Sequence, residues 1–306
     1  MPSGHENAGY RRLFDGDGMT VGTGFPLTGT RESTPDVAAE LELAALAESL
    51  GYDALWARDV PTYWPKFGDA GQTFDTWPWL SHVAAHTDEI ALGTSSVVLT
   101  LRHPLHVAKS AATVDRLSGG RLVMGIASGD RDPEYPAFGV DRDERSRLFR
   151  EAVETLRTVW REDYPELEGQ WGTLEGDLDV VPSPVEESIP LLPTGHSRQT
   201  TEWIADHGDG WLFYHLPDRT LESYIGDWRA DAGEKPFAIA VRVGLADDPT
   251  AEPEPLHLGY HAGAEWFREY FHRLDAIGLD HVIVSLEGDD RAGALEEFAD
   301  EILADL

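Results

Sequence analysis

Short apolar, β-branched runs alternate along this chain with longer segments whose apolar residues recur at helical spacing. Eight runs read as strands: Val21 to Phe25, Asp53 to Ala57, Ala91 to Leu99, Leu122 to Ala127, Pro190 to Thr194, Gly210 to Phe213, Phe237 to Leu245 and His281 to Leu286. The helical period is clearest at Leu148, Phe149, Ala152, Val153, Leu156, Val159 and Trp160, and again at Leu295, Phe298, Ala299, Ile302, Leu303 and Leu306. Thr34-Pro35 supply an N-cap and a first-turn proline for a helix that Gly51 ends. His103-Pro104 open another, which stops at Gly119-Gly120. A strand followed by a helix cannot fold back as a hairpin, so the strands run parallel. Eight such units close into an α/β, (β/α)8 TIM barrel whose reactive site lies at the C-terminal strand ends. A doubly wound open sheet is the competing arrangement.

A length of 306 residues suits one such barrel, so residues 1–306 are expected to form a single domain. Two stretches exceed a minimal barrel and read as insertions after strands 2 and 4. Trp64 to Phe74, with Gly68 and Gly71, follows the second strand. Asp163 to Ser188, acidic and rich in Gly and Pro, separates the fourth helix from strand five. Each suits a lid or a surface elaboration. Asp247 to Pro255 reads as a loop.

Composition narrows the chemistry. A hydrophobic fraction of 41% supports a buried core. No stretch approaches the roughly 20 apolar residues that span a bilayer, and the region around Arg11-Arg12 lacks the apolar run of a signal peptide, so a cytoplasmic protein is expected. The absence of cysteine excludes disulfides and thiolate chemistry. With 24 basic and 56 acidic residues the formal charge is −32, a surface that repels nucleic acid and anionic lipid. Lys66, Lys109 and Lys235 are the only lysines. A solvated surface adapted to high salt accounts for this balance, against the alternative of an acidic patch that recruits a basic partner.

The chemistry-bearing stretch runs from Ile90 to Gly139. It reads Ala91-Leu92-Gly93-Thr94-Ser95-Ser96-Val97-Val98-Leu99, then Arg102-His103-Pro104, then Leu117-Ser118-Gly119-Gly120-Arg121, with Ser128-Gly129 after strand four. This series, in barrel register, resembles the luciferase-like family of flavin oxidoreductases, with its strand ending in small residues, its His-Pro turn and its Leu-Ser-x-Gly-Arg signature. The likeness is weaker from Thr20 to Gly210 and weakest beyond Ala246. It implies a non-proline cis peptide at Ser95-Ser96 beside the cofactor ring. It also places the cofactor phosphate at Pro193 to Trp203, where a strand ends in Gly195 and a helix begins. By that match His196 and Ser197 offer backbone N–H groups and Thr200 a hydroxyl, with Ser128 and Gly129 nearby. Ser128 stands where the family's luciferases carry a phosphate-binding arginine. N-capping by Ser197 explains the same helix start without a ligand.

The resemblance further implies either flavin mononucleotide (FMN), reduced by a separate reductase and acting as a monooxygenase cofactor, or the deazaflavin coenzyme F-420, which moves hydride only; FMN is the first choice. A small-molecule substrate and a homodimer are implied with it. Arg58 departs from the family pattern by replacing a histidine, and as an arginine it cannot shuttle protons near neutral pH. It is the candidate catalytic residue, placed to pair with an anionic substrate or reduced ring, or else with Asp59. The departure keeps open a flavin-binding barrel without turnover. A hydrolase or isomerase using Asp59 and Asp130 as acid and base is a third reading. His82 and His86 lack a third ligand in sequence, so no metal is expected. Gly22 and Gly24 lack the helix a dinucleotide fingerprint needs. Trp64, Trp77 and Trp79 suit either a substrate pocket or packing of their loop.

Overall fold

The structure, a computed structural model, describes residues 5–25, 34–67 and 74–306. Gly68 and Gly71 of the first insertion lie outside the described residues. All eight expected strands are present: β1 (Thr20–Phe25), β2 (Ala54–Ala57), β3 (Ala91–Val98), β4 (Leu122–Ala127), β5 (Leu191–Pro193), β6 (Trp211–Tyr214), β7 (Phe237–Leu245) and β8 (His281–Leu286). Parallel pairing runs from β6 through β7, β8, β1, β2, β3 and β4 to β5. A parallel bridge between Thr194 and Leu212 joins β5 to β6, and the Gly195 N–H donates to the Leu212 carbonyl at 2.8 Å. The ring therefore closes on itself, and the open sheet is ruled out.

Alternation along each strand separates two cores. Outward residues such as Val21, Leu55, Leu92, Met124 and Val241 pack under the surrounding helices. Inward residues Ala54, Trp56, Ala91, Val123, Leu192, Leu212, Ala238 and Ile283 fill the barrel. Tyr10 and Leu13, from the helix Ala8–Phe14, join them and plug its N-terminal end. Trp56 is the largest of these inward residues, and glycines make room for it. A Cβ on Gly93 would lie 2.3 Å from the indole ring and one on Gly22 2.8 Å from its Nε1. Gly22 thus serves packing. Trp56 Nε1–H donates to His281 Nε2 at 2.9 Å, and His281 Nδ1 lies 2.7 Å from the Thr20 hydroxyl. Complete burial lowers the His281 pKa to about 3, so the floor of the barrel holds a neutral imidazole.

Boundaries differ from expectation where a nearer side chain supplies the cap. The helix Val37–Ser49 is capped by Asp36, whose carboxylate accepts from the Ala38 and Ala39 N–H groups, rather than by Thr34. The end of the expected loop at Asp247 to Pro255 is a short strand, Glu254–Leu256. It pairs with Gly259–Ala262, which in turn extends the wall beside β7. The insertion after strand four forms a hairpin, Glu166–Gly169 with Gly172–Glu175. It is pinned outside the helix Pro104–Leu117: Lys109 Nζ donates to the Val181 carbonyl, and Arg116 to those of Ser183 and Pro184.

Candidate active site

Strand register gathers most of the sequence-derived site residues on one arc of the C-terminal mouth. Ala57 pairs with Thr94, so Arg58 follows beside Ser95. Ile126 pairs with Pro193, so Ser128 follows beside Gly195. The arc therefore runs Arg58, Ser95-Ser96, Ser128-Gly129, Gly195. The Ser95-Ser96 peptide is cis. The β3 register shifts between Thr94 and Val97 at this point, and Gly125 of β4 accommodates it: a Cβ there would sit 2.1 Å from the Thr94 carbonyl oxygen. The Ser96 hydroxyl bonds that of Thr194 across the mouth.

The turn after β5 is held from every side. Gly195, Ser197 and Arg198 adopt left-handed conformations, with φ of 53°, 44° and 63°. The Gly195 carbonyl accepts Trp211 Nε1–H at 2.7 Å, and the Ser197 hydroxyl donates to the Thr194 carbonyl at 2.8 Å. Gln199, buried, donates to the Ser146 and Ser197 carbonyls and accepts from Arg150. With these bonds made, the N–H groups of His196, Ser197 and Arg198 donate to no other described residue. A turn that leaves successive N–H groups uncommitted is an anion cradle. Thr200, not Ser197, caps the helix Thr201–His207, accepting from the Trp203 N–H at 3.2 Å. The Ser197 hydroxyl is spent within the turn. The His196 ring lies outside the barrel against Trp211 and Phe213, so its backbone alone faces the cradle. Ser128 is buried, and its carbonyl accepts from Thr100 and Tyr135 hydroxyls at 2.8 and 2.7 Å. Tyr214 lies over Gly195, where a Cβ would meet its ring at 2.9 Å, and burial raises its phenol pKa.

Beside Arg58, the Asp59 carboxylate is committed to another arginine. Its side chain is 2% exposed; it accepts from Arg102 Nη2 at 2.6 Å, Arg102 Nε at 2.9 Å and the Val98 N–H at 3.1 Å. A carboxylate so clamped is no free acid or base, which removes it from the cofactor-free reading. A second buried pair, Arg131 with Glu134 at 3.7 Å, is bridged by Thr62, whose hydroxyl donates to Glu134 at 2.8 Å. Burial raises the Glu134 pKa. Arg131 also lies 4.7 Å from the Phe67 ring centre and so ties the loop after β2 to the loop after β4. Trp77 and Trp79 are buried, Trp79 packing on Phe25 at 5.2 Å and Phe74 at 4.9 Å, so among the described residues these two serve packing. Sequence reasoning included Arg102 in the stretch before the His-Pro turn and Thr194 and Gln199 in the segment after strand five without giving them these partners, and it gave Tyr135 no role.

No described helix is long and apolar enough to cross a membrane. Comparison with known proteins places the fold and the family. The chain is 20% identical to a monooxygenase from Streptomyces bottropensis, with a TM-score of 0.76, covering 94% of this chain and 99% of that one. It superposes on an F420-dependent secondary alcohol dehydrogenase with a TM-score of 0.75 and 19% identity over the same shares of each chain. In sequence it is 31% identical over 176 residues to an F420-dependent glucose-6-phosphate dehydrogenase from Beutenbergia cavernae. That match covers 56% of this chain and 51% of the relative, about half its length. The family model for luciferase-like monooxygenases matches residues 18–302, nearly the whole barrel. The chain therefore belongs to the luciferase-like monooxygenase family and is an oxidoreductase.

Proposed function

We propose that this chain, as one barrel domain, holds a flavin-type cofactor across the β2–β5 arc of its mouth and catalyses electron transfer to or from a small organic molecule. The observation that carries the reading is the Gly195–Thr200 turn: three N–H groups without a partner among the described residues, directly beside Ser128 and Ser96. A cofactor phosphate fits this cradle, held by the His196, Ser197 and Arg198 N–H groups and the Thr200 hydroxyl, with Gly129 leaving the backbone close by. Ser95-Ser96 would support the ring, and Arg58 would meet its reacting edge.

Of the two cofactors, coenzyme F-420 now comes first. Several sequence relatives, the Beutenbergia cavernae enzyme among them, are F420-dependent glucose-6-phosphate dehydrogenases. Such a coenzyme supplies hydride transfer, and the protein's part is to seat it and admit the substrate. Arg58 carries a permanent charge and no transferable proton at neutral pH, which suits electrostatic anchoring better than proton shuttling. The second reading, an FMN-dependent monooxygenase fed by a flavin reductase, is favoured by the family description and by the likeness to the Streptomyces monooxygenase. A homodimer in a salt-rich cytoplasm completes the proposal, the charge of −32 supporting its salt adaptation. Fluorescence titration in molar salt with F-420, and separately with FMN, tests it. Saturable binding of F-420 in preference to FMN is expected; preference for FMN selects the monooxygenase, and binding of neither refutes the cofactor site.

A further inference from the structure

On the β6 side of the Gly195 turn stands a hydroxyl that bonds no described residue. Leu212 points into the barrel, so Tyr214, two residues on, is the next inward position of β6 and belongs to the mouth. The Thr194–Leu212 bridge, with the Gly195 N–H bond to the Leu212 carbonyl, fixes β6 against β5 and brings Tyr214 level with the turn. Ser128 thus flanks the turn from β4 and Tyr214 from β6. The contact is made by the hydroxyl end of the Tyr214 ring. A Cβ on Gly195 would sit 2.9 Å from its Cε2, 3.3 Å from its hydroxyl oxygen and 3.4 Å from its Cζ. Glycine is needed there twice over, for a φ of 53° and for this close approach.

Neighbouring hydroxyls are committed: Ser197 to the Thr194 carbonyl, Ser96 to Thr194, and those of Thr100 and Tyr135 to the Ser128 carbonyl. Tyr214 is different. Its ring packs on Phe213 at 5.5 Å between centres, which holds the side chain without help from the oxygen, and 47% of the residue is exposed. Its hydroxyl makes no hydrogen bond among the described residues. Partial burial and the charge of Asp130, on the loop after β4, both raise its pKa, so the phenol stays protonated and can donate. An uncommitted O–H therefore lies against Gly195, one residue before the first of three uncommitted N–H groups. Donors that converge in this way suit a charged oxygen, and a phenol O–H is among the stronger neutral donors to one.

We infer that Tyr214 is a specificity-determining residue of the cofactor site: its hydroxyl donates to an oxygen of the phosphate that the His196, Ser197 and Arg198 N–H groups hold, so that the phosphate is read from β6 as well as from the turn after β5. This rests on the cofactor reading above and deepens it, since it assigns a side chain to the same group. With no partner inside the chain, the hydroxyl contributes to binding and not to folding.

Tyr214→Phe removes the hydroxyl and keeps the ring. Dissociation constants of F-420 and its dephosphorylated chromophore, and of FMN and riboflavin, are measured by fluorescence in molar salt for the native and variant chains. The variant should bind the preferred cofactor about 10-fold more weakly, yet bind its phosphate-free chromophore as the native chain does. Its melting temperature should be unchanged. A loss confined to the phosphate-bearing ligand is one that a merely structural residue would not give. Equal losses for both ligands would assign the hydroxyl to the chromophore, no loss would leave it to solvent, and a lowered melting temperature would give it a partner in the fold. Each of these overturns the inference, while phosphate-dependent binding by the native chain keeps the cofactor site standing. Failure of the native chain to bind either cofactor overturns both.

Discussion

Replacing Asp59 by asparagine preserves the shape of the side chain and removes its charge. In the native chain the carboxylate accepts three hydrogen bonds, from Arg102 Nη2 at 2.6 Å, Arg102 Nε at 2.9 Å and the Val98 N–H at 3.1 Å. An asparagine keeps one carbonyl oxygen and turns an NH2 group toward the guanidinium. Removing one partner of a buried pair costs about 3–5 kcal/mol, and a hydrogen bond to a charged group contributes about 1.5–3 kcal/mol. Arg102 is 22% exposed and retains Asp75 at 3.3 Å, which places the loss near the lower end, at about 2–3 kcal/mol. Reversible urea unfolding in molar salt measures it. The Val98 bond adds a second readout, because it anchors β3 directly after Ser95-Ser96: cofactor affinity should weaken together with stability. A loss below about 1 kcal/mol would assign the pair the worth of a surface contact and refute the reasoning.

Other expectations follow from the barrel floor and the charge balance. His281 is neutral in the folded state, its pKa lowered to about 3 by burial, whereas its unfolded pKa is about 6.5. Below pH ~6.5 the unfolded chain binds a proton that the folded chain does not, so stability should fall with pH by up to ~1.4 kcal/mol per unit until about 3. His281→Gln should flatten the slope of unfolding free energy between about pH 6 and 4, and an unchanged slope would contradict this origin. Gly93→Ala forces a methyl group to 2.3 Å from the Trp56 ring and should cost about 1–3 kcal/mol or more in thermal unfolding; a wild-type melting temperature would show that the indole can move aside. With a charge of −32, the melting temperature should drop between molar and millimolar salt, and a constant value would refute salt adaptation.

The barrel was legible because its signals are local. Each strand run is bounded by glycine, proline or a helical period within a few residues, and eight repeats of one unit leave few topologies. The cap at Asp36 and the hairpin around Leu258 escaped because several residues compete for one turn, and short edge strands containing proline resemble loops. The site divides similarly. Ser95-Ser96 and the Gly195 turn are contiguous segments, so a family pattern finds them. Asp59 with Arg102, or Gln199 with Ser146, are 43 and 53 residues apart, and nothing in sequence marks the partners before the chain is folded. The alternation that points Trp56 inward also assigns Arg58 to the mouth, yet it becomes chemistry only once the register of β2 against β3 is known.

The central claim is that the Gly195–Thr200 turn holds the cofactor's phosphate. The most direct measurement compares, in molar salt, the affinity of the preferred cofactor with that of its chromophore lacking the phosphate, riboflavin in place of FMN or the dephosphorylated deazaflavin in place of F-420. Three N–H donors at this turn should make the phosphate-free chromophore bind at least ~10-fold more weakly. Equal affinities would mean that the phosphate lies elsewhere and would contradict the assignment of the turn.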